Sequence, residues 1–160
     1  MIDQPTSKPR WNSLIGALNK WRIAFLVLAL TYFVFILLNL TKQPMNWDEV
    51  GHLNRALELQ NGFYNNFVRD SFYPPLFSVL TKVSFDLFGA SLFSARLVSA
   101  VFSILSLWVV FELAYTMYGK KAALLSAFLL AVMPGYFWLS RLALLEIMLV
   151  FFFMLSLFLF

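Results

Sequence analysis

One short segment, NWDEVGHLNRALELQNG, concentrates titratable side chains in a chain that is 61% hydrophobic and only 12% charged. Asp48 and Glu49 stand side by side, and His52, the single histidine of the sequence, and Arg55 follow them. A carboxylate can accept a proton from a reacting group, and the four-residue spacing of Asp48 and His52 places both on one helical face. These are only two potential ligands, so the pattern is compatible with a divalent metal but does not require one.

The same segment has a purely structural interpretation as the start of a helix. Asn46 is a favourable N-cap, Glu49 follows at the spacing of a capping box, and acids in a first turn stabilise a helix by about 0.3–1 kcal/mol. The predicted helix, about 47–60, has two faces, with Val50, Leu53 and Leu57 on one and Asp48, His52 and Arg55 on the other. We expect it to lie at the membrane surface, since each charge buried in lipid costs about 2.5–3.5 kcal/mol.

The overall composition indicates an integral membrane protein. Soluble domains are about 45–50% apolar and about 25% charged, so this chain cannot hide its apolar side chains in one water-facing globule. The net charge of +4 does not indicate nucleic-acid binding, because the basic residues are scattered and many flank apolar runs. The absence of cysteine from the sequence excludes disulfides and thiolate metal sites.

The first apolar run predicts a transmembrane helix over residues 23–40, since eighteen residues at about 1.5 Å each nearly cover a hydrocarbon core of about 30 Å. Four basic residues and one acid precede it: Lys8, Arg10, Lys20, Arg22 and Asp3. The positive-inside rule therefore predicts that residues 1–22 are cytoplasmic and that the loop 41–92 is extracytoplasmic. Within that loop, the segment after Pro74 predicts a second interfacial helix over about 75–88.

Three further apolar runs follow, and they predict transmembrane helices over 93–117, 121–139 and 143–160. The last run has fourteen residues after Glu146, fewer than the about 20 that a span needs, so we expect a fragment cut within a helix. The predicted fold class is thus all-α and integral to the membrane: a polytopic helix bundle with interfacial helices in its first outer loop.

Glu146 and Arg141 belong to the short connection that this topology places on the same outer side as Asp48. An ionisable side chain at the end of a membrane helix is functional when it faces protein or water. The competing interpretation is that Glu146 reaches the interface only to be solvated, and the sequence leaves both open.

The order of short motifs resembles a known family. An outer WDE and a helix ending in ELQNG are followed by YPPL, DLFG, SARL and MYG, and then by an outer arginine near a carboxylate. This order is similar to the N-terminal part of the C-type membrane glycosyltransferases, in particular the lipid A aminoarabinose transferases and the protein O-mannosyltransferases. The resemblance covers roughly residues 20 to 160.

The resemblance implies transfer of a sugar from a polyprenyl-phosphate donor to a lipid, glycan or protein acceptor on the extracytoplasmic side. The location would be a multi-pass inner or plasma membrane, or the endoplasmic reticulum membrane in a eukaryote. It further implies that Asp48 is the catalytic base, that Glu49 is the neighbouring motif acid, and that Glu146 is the second acid, which is often Asp in relatives.

The resemblance also indicates where the donor phosphate is met. Many relatives have Lys or His before the Pro-Pro pair, but this chain has Tyr73, so the expected cation is Arg69 or Arg141. His52 and Arg55 share a face with Asp48 and complete the predicted substrate-binding set. Two other classes stay open: a transporter or channel with an acidic vestibule, and a non-catalytic assembly subunit. The scarcity of charge at the middle of the helices argues against a transporter.

Overall fold

The computed structural model describes residues 20–62 and 74–160, and within these ranges the chain is helical with no strand. The helices are α1 (Lys20–Leu37), α2 (Trp47–Gln60), α3 (Pro75–Phe88), α4 (Leu92–Tyr118), α5 (Lys120–Val132), α6 (Pro134–Leu139) and α7 (Glu146–Leu159). Of these, α1 and α4 are long and apolar enough to cross a membrane, and α7 is a shorter apolar helix. The predicted all-α membrane fold class is confirmed.

Helix α4 is the centre of the bundle and packs against α1, α3, α5 and α7. Small side chains allow this close approach: α5 buries one alanine per turn, at Ala123, Ala127 and Ala131. Between α1 and α4 the rings of Phe25 and Phe111 stack with centroids 4.4 Å apart. Small residues at helix contacts are typical of membrane bundles, in which van der Waals contact rather than expulsion of water holds helices together.

Buried polar groups tie the short helix α6 and the connection after it to the bundle. The Tyr136 hydroxyl donates to the Ser103 carbonyl at 2.8 Å, and the Ser99 hydroxyl donates to the Leu144 carbonyl at 3.0 Å. The hydroxyls of Tyr32 and Ser140 lie 3.1 Å apart. These bonds fix the segment between α6 and α7 against α1 and α4, and α7 therefore begins at a defined place.

The helices differ from the predicted spans in three places, one of which is α7, which begins at Glu146 rather than at 143. Helix α1 covers Lys20–Leu37 rather than 23–40, and the chain continues in turns in which Asn39 has a positive φ of 59°. The span predicted over 121–139 is two helices, because Pro134 cannot lie in a helix interior and Met133 before it is extended, with ψ of 117°. A run of apolar letters does not distinguish one helix from two.

Glu112, an acid inside the apolar sequence of α4, has a partner on α1. Its carboxylate lies 3.2 Å from the Arg22 guanidinium, which also sits 5.7 Å from the centre of the Tyr115 ring. The pair joins α1 and α4 at the end of the bundle that carries the basic residues. Because both side chains are partly exposed, the pair stabilises this contact only modestly.

The helices of the loop after α1 form a layer on α4. Helix α2 packs on α3, and α3 packs on α4 through buried Phe77 and Phe85. The predicted capping box at Asn46 and Glu49 is confirmed, with the Asn46 N–H donating to Glu49 Oε2 at 2.9 Å. Gly89, with a positive φ of 83°, ends α3 and turns the chain into α4. This layer carries the polar segment from which the site is built.

Candidate functional site

A completely buried ion pair lies where α2 meets α4. Glu49, in the first turn of α2, and Arg96, in the second turn of α4, both have no exposed surface. Arg96 Nε donates to Glu49 Oε1 and Arg96 Nη2 donates to Glu49 Oε2, both at 2.8 Å. This two-pronged geometry is the strongest that an arginine and a carboxylate form.

The other Arg96 donors hold the connection between α1 and α2. Nη1 donates to the carbonyls of Leu40 at 2.6 Å and Gln43 at 3.2 Å, and Nη2 donates to that of Pro44 at 3.3 Å. All five N–H bonds that a guanidinium offers are thus used. Burying the Arg96 charge at the start of an apolar helix costs desolvation free energy. The full set of hydrogen-bond acceptors around the guanidinium offsets that cost.

Glu49 links this cluster to the far end of the chain. Its Oε1 also accepts the Ala143 backbone N–H at 2.6 Å, and its Oε2 accepts the Asn46 N–H. Burial alone would raise the pKa of Glu49, but the hydrogen bonds from Arg96, Asn46 and Ala143 outweigh it and hold the pKa below its usual value. Glu49 is therefore ionised at neutral pH, and every oxygen already has two donors. We interpret it as a positioning residue, whereas the resemblance had grouped it with Asp48 and Glu146 as a catalytic motif acid.

Asp48 and Glu146 differ from Glu49, because both are exposed. Asp48 precedes the anchored Glu49 on α2, and Glu146 begins α7 three residues after Ala143, whose N–H is bonded to Glu49. The charges of Glu146 and Asp48 both act on the imidazole of His52. The buried anchor thus brings the two exposed carboxylates, predicted from distant parts of the sequence, into one neighbourhood.

His52 and Arg55 are buried, whereas the helical pattern had placed them on a solvated face. The His52 ring meets the Phe77 ring edge-on, with centroids 5.1 Å apart. Burial lowers the pKa of His52; Glu146 and Asp48 act to raise it and Arg55 to lower it, and the net shift is downward. At neutral pH the ring is therefore uncharged and offers one donor and one acceptor rather than a cation for phosphate.

Of the other predicted substrate-binding residues, the structure describes only Arg141; Arg69 and Tyr73 lie outside the described residues. Arg141 Nη2 donates to the carbonyls of Leu38 at 2.8 Å and Asn39 at 3.1 Å, so its guanidinium also holds the end of α1. The side chain is partly exposed. Within residues 20–62 and 74–160, no three His, Asp or Glu side chains come together as a metal site would need.

Sequence reasoning missed Arg96, the residue on which the arrangement depends. Its signal was present in the SARL motif, as a lone charge near the start of a 27-residue apolar helix. A charge at that place implies a buried partner or a route to water. The capping-box spacing explained Glu49 by a backbone contact and so gave no reason to look for a distant cation.

Comparison with known proteins supplies one positive result. The model of the family described as dolichyl-phosphate-mannose-protein mannosyltransferase matches residues 73–160, more than half of the chain. Neither a curated protein nor a solved structure matches.

Proposed function

The chain belongs to the dolichyl-phosphate-mannose-protein mannosyltransferase family, and from that premise we propose that it transfers a sugar from a polyprenyl-phosphate donor to a lipid, glycan or protein acceptor. At the coarser level, the family and the two membrane-length helices indicate a membrane glycosyltransferase. One observation carries the finer proposal: exposed Asp48 and Glu146 both act electrostatically on the same side chain, His52, next to the fully bonded Glu49–Arg96 pair.

Asp48 is the catalytic base in this proposal. The acceptor hydroxyl or amide attacks the anomeric carbon of the sugar, its proton passes to the Asp48 carboxylate, and the anomeric C–O bond breaks with its electron pair on the lipid phosphate. Exposure of Asp48 at the start of α2 supports this role, since an acceptor can reach it. The adjacent Glu49 fixes the backbone of the same helical turn.

Glu146 and His52 orient the reactants. The neutral His52 ring is 2% exposed and lies edge-on against Phe77, so it acts on the reactants through the electrostatic environment of the two carboxylates rather than by direct contact. Glu146 is the second acid and binds hydroxyl groups of the sugar or acceptor. Because Asp48 and Glu146 are acids and the neutral His52 adds no cation, we assign the donor phosphate to an arginine outside this cluster.

The cation that meets the phosphate is Arg69 or Arg141. We expect Arg69→Ala or Arg141→Ala to lower kcat/KM for a polyprenyl-phosphate sugar by about 10–100-fold, because a hydrogen bond to a charged group is worth about 1.5–3 kcal/mol. Tyr73→Phe should change it by less. The measurement is transfer of labelled sugar by the purified protein in liposomes that contain the donor.

Arg141 needs its own control, because it also holds the end of α1. Arg141→Lys retains the charge but not the planar guanidinium, so it should recover part of the kcat/KM for the polyprenyl-phosphate sugar. Thermal unfolding of each variant reports any loss of stability. If Tyr73→Phe is the most damaging of the three single changes, the assignment of the phosphate cation to arginine is wrong.

The proposed orientation has residues 1–22 in the cytoplasm and the site outside, on the basis of the four basic residues before position 23. The chain has no native cysteine, so single cysteines report sidedness directly. A membrane-impermeant maleimide should label Gln60→Cys in intact cells and label Tyr118→Cys only after the membrane is opened. The reverse pattern would refute both the orientation and an extracytoplasmic site.

A further inference from the structure

A long apolar groove runs between α1 and α5 and begins at the end of the bundle opposite Asp48. Its first part has a volume of about 530 Å³ and is lined by Trp21, Ala24, Leu28, Leu125 and Phe128, among others, with Lys121 at its rim as the charged lining residue. A second part of about 420 Å³ shares Leu28, Thr31 and Phe128 with the first and ends at Pro134. The two parts therefore form one continuous surface along the bundle.

The dimensions of the groove fit a lipid chain. From Trp21 to Phe35 the α1 backbone rises about 21 Å at about 1.5 Å per residue, whereas one leaflet of hydrocarbon is about 15 Å deep. The far part of the groove is lined by residues on both sides of the break between α5 and α6, among them Ala131, Pro134 and Phe137. An acyl chain can thus lie along the whole depth of its own leaflet against these two helices.

The rim of the groove is positively charged. Among the residues that the structure describes, the basic side chains at this end are Lys20, Arg22, Lys120 and Lys121, and the helices α1 and α5 contain no acid. Glu112 on α4 neutralises Arg22, which leaves three lysines. Lys20 lies 5.7 Å from the centre of the Trp21 ring, which is itself part of the groove wall. A cationic rim above an apolar channel matches a molecule with an anionic head and an apolar tail.

We propose that this α1–α5 groove is a binding site for an anionic phospholipid, with one acyl chain along Leu28 and Phe128 and the head-group phosphate at Lys20 and Lys121. Basic pockets between membrane helices recognise such head groups. A second copy of the chain is a poorer occupant, because a two-fold contact through this groove would bring two positively charged rims together. The site is distinct from the polar cluster at Asp48 and does not depend on the proposed reaction.

The test is retention of lipid by the detergent-purified protein, counted by native mass spectrometry after incubation with phosphatidylglycerol or with phosphatidylcholine. We expect preferential retention of phosphatidylglycerol. Lys20→Gln with Lys121→Gln should weaken that preference by about fivefold for each lysine. Ala24→Trp, which fills the groove, should reduce retention of both lipids, and Ala24→Leu provides a milder version if the first variant does not fold.

The matched control is the double change Lys42→Gln and Lys82→Gln, which removes the same charge away from the groove and should leave retention unchanged. Glycerol phosphate, the head group without chains, should not bind measurably, since the apolar groove supplies much of the affinity. Equal retention of the two lipids, or undiminished retention by the Lys20 and Lys121 double variant, would overturn the proposal. So would binding of glycerol phosphate as tight as that of lipid, or efficient disulfide cross-linking of Leu125→Cys between two copies in place of lipid.

Discussion

We expect the Asp48→Asn protein to fold like the parent and to lose about 10²–10⁴-fold in the rate of sugar transfer. Asparagine keeps the shape and hydrogen-bonding capacity of the side chain but cannot accept a proton, and general-base help is worth about this factor. The competing view, in which Asp48 only stabilises the start of α2, predicts a stability loss below about 1 kcal/mol and little change in rate. Transfer and thermal unfolding are measured on the same purified sample.

Asp86→Asn is the matched control, because Asp86 is another exposed acid of the same loop region and pairs with Lys82 on its own helix. Its loss removes the same charge near the membrane surface without touching the site, so transfer should stay within a few-fold of the parent. If the Asp48→Asn protein transfers sugar as fast as the Asp86→Asn protein, Asp48 is not the catalytic base and only stabilises the start of α2.

The second large effect is expected on stability, from the pair between Glu49 and Arg96. Removing one partner of a buried ion pair costs about 3–5 kcal/mol, because the other charge is left without its counterion. Arg96→Met should therefore lower the unfolding temperature sharply and, at temperatures where the protein remains folded, reduce transfer because Asp48 and Glu146 lose their common support. Arg96→Lys keeps the charge but loses the two-pronged contact, and it should recover only part of both properties.

A double-mutant cycle separates this pair from general loss of packing. Glu49→Gln with Arg96→Met should be less destabilising than the sum of the single changes, since neither charge is then left alone in the interior. If the two effects simply add, Glu49 and Arg96 do not support one another and the anchor is wrongly assigned.

The pair also predicts an acid-dependent stability. The pKa of Glu49 is lowered in the folded protein, so its contribution is fully present above the pKa of an unfolded glutamate and is lost as pH falls through the lower, folded value. Unfolding of the parent should therefore become easier as the solution is acidified below about pH 4.5, and Glu49→Gln should flatten that dependence. His52, whose pKa is also lowered by burial, favours unfolding in acid too, so the difference between the parent and Glu49→Gln isolates the share of the glutamate.

Local patterns in the sequence were sufficient for the elements that carry the site. Composition indicates a membrane protein, proline and glycine mark the ends of α3, and the Asn46–Glu49 spacing predicts the helix start that the structure contains. These features depend on residues that are neighbours along the chain, so they can be predicted without knowing the tertiary structure. The motif order likewise pointed to the family, which the match over residues 73–160 confirms.

What the sequence could not provide were the contacts across distance. The Arg96 guanidinium, the Glu49 carboxylate and the Ala143 N–H meet only after α2, α4 and the connection between α6 and α7 have packed. A donor such as a backbone N–H also cannot be recognised from the residue type. For the same reason the burial of His52 and Arg55 could not be predicted. When the neighbouring helices are unknown, a polar helix face is expected to be exposed to solvent. Arg69 and Tyr73 stay predictions.

The bonds of Glu49 to Arg96 and Ala143 also determine how early the site can form while the chain is being synthesised. Glu49 bonds to residues 47 and 94 positions further along the chain, at Arg96 and Ala143. The ribosome must therefore make the whole of α4, α5 and α6 before the last donor reaches the carboxylate. Until then a nascent chain holds Asp48 on an unfinished support, so the segment around Asp48 matures much later than its place in the sequence implies.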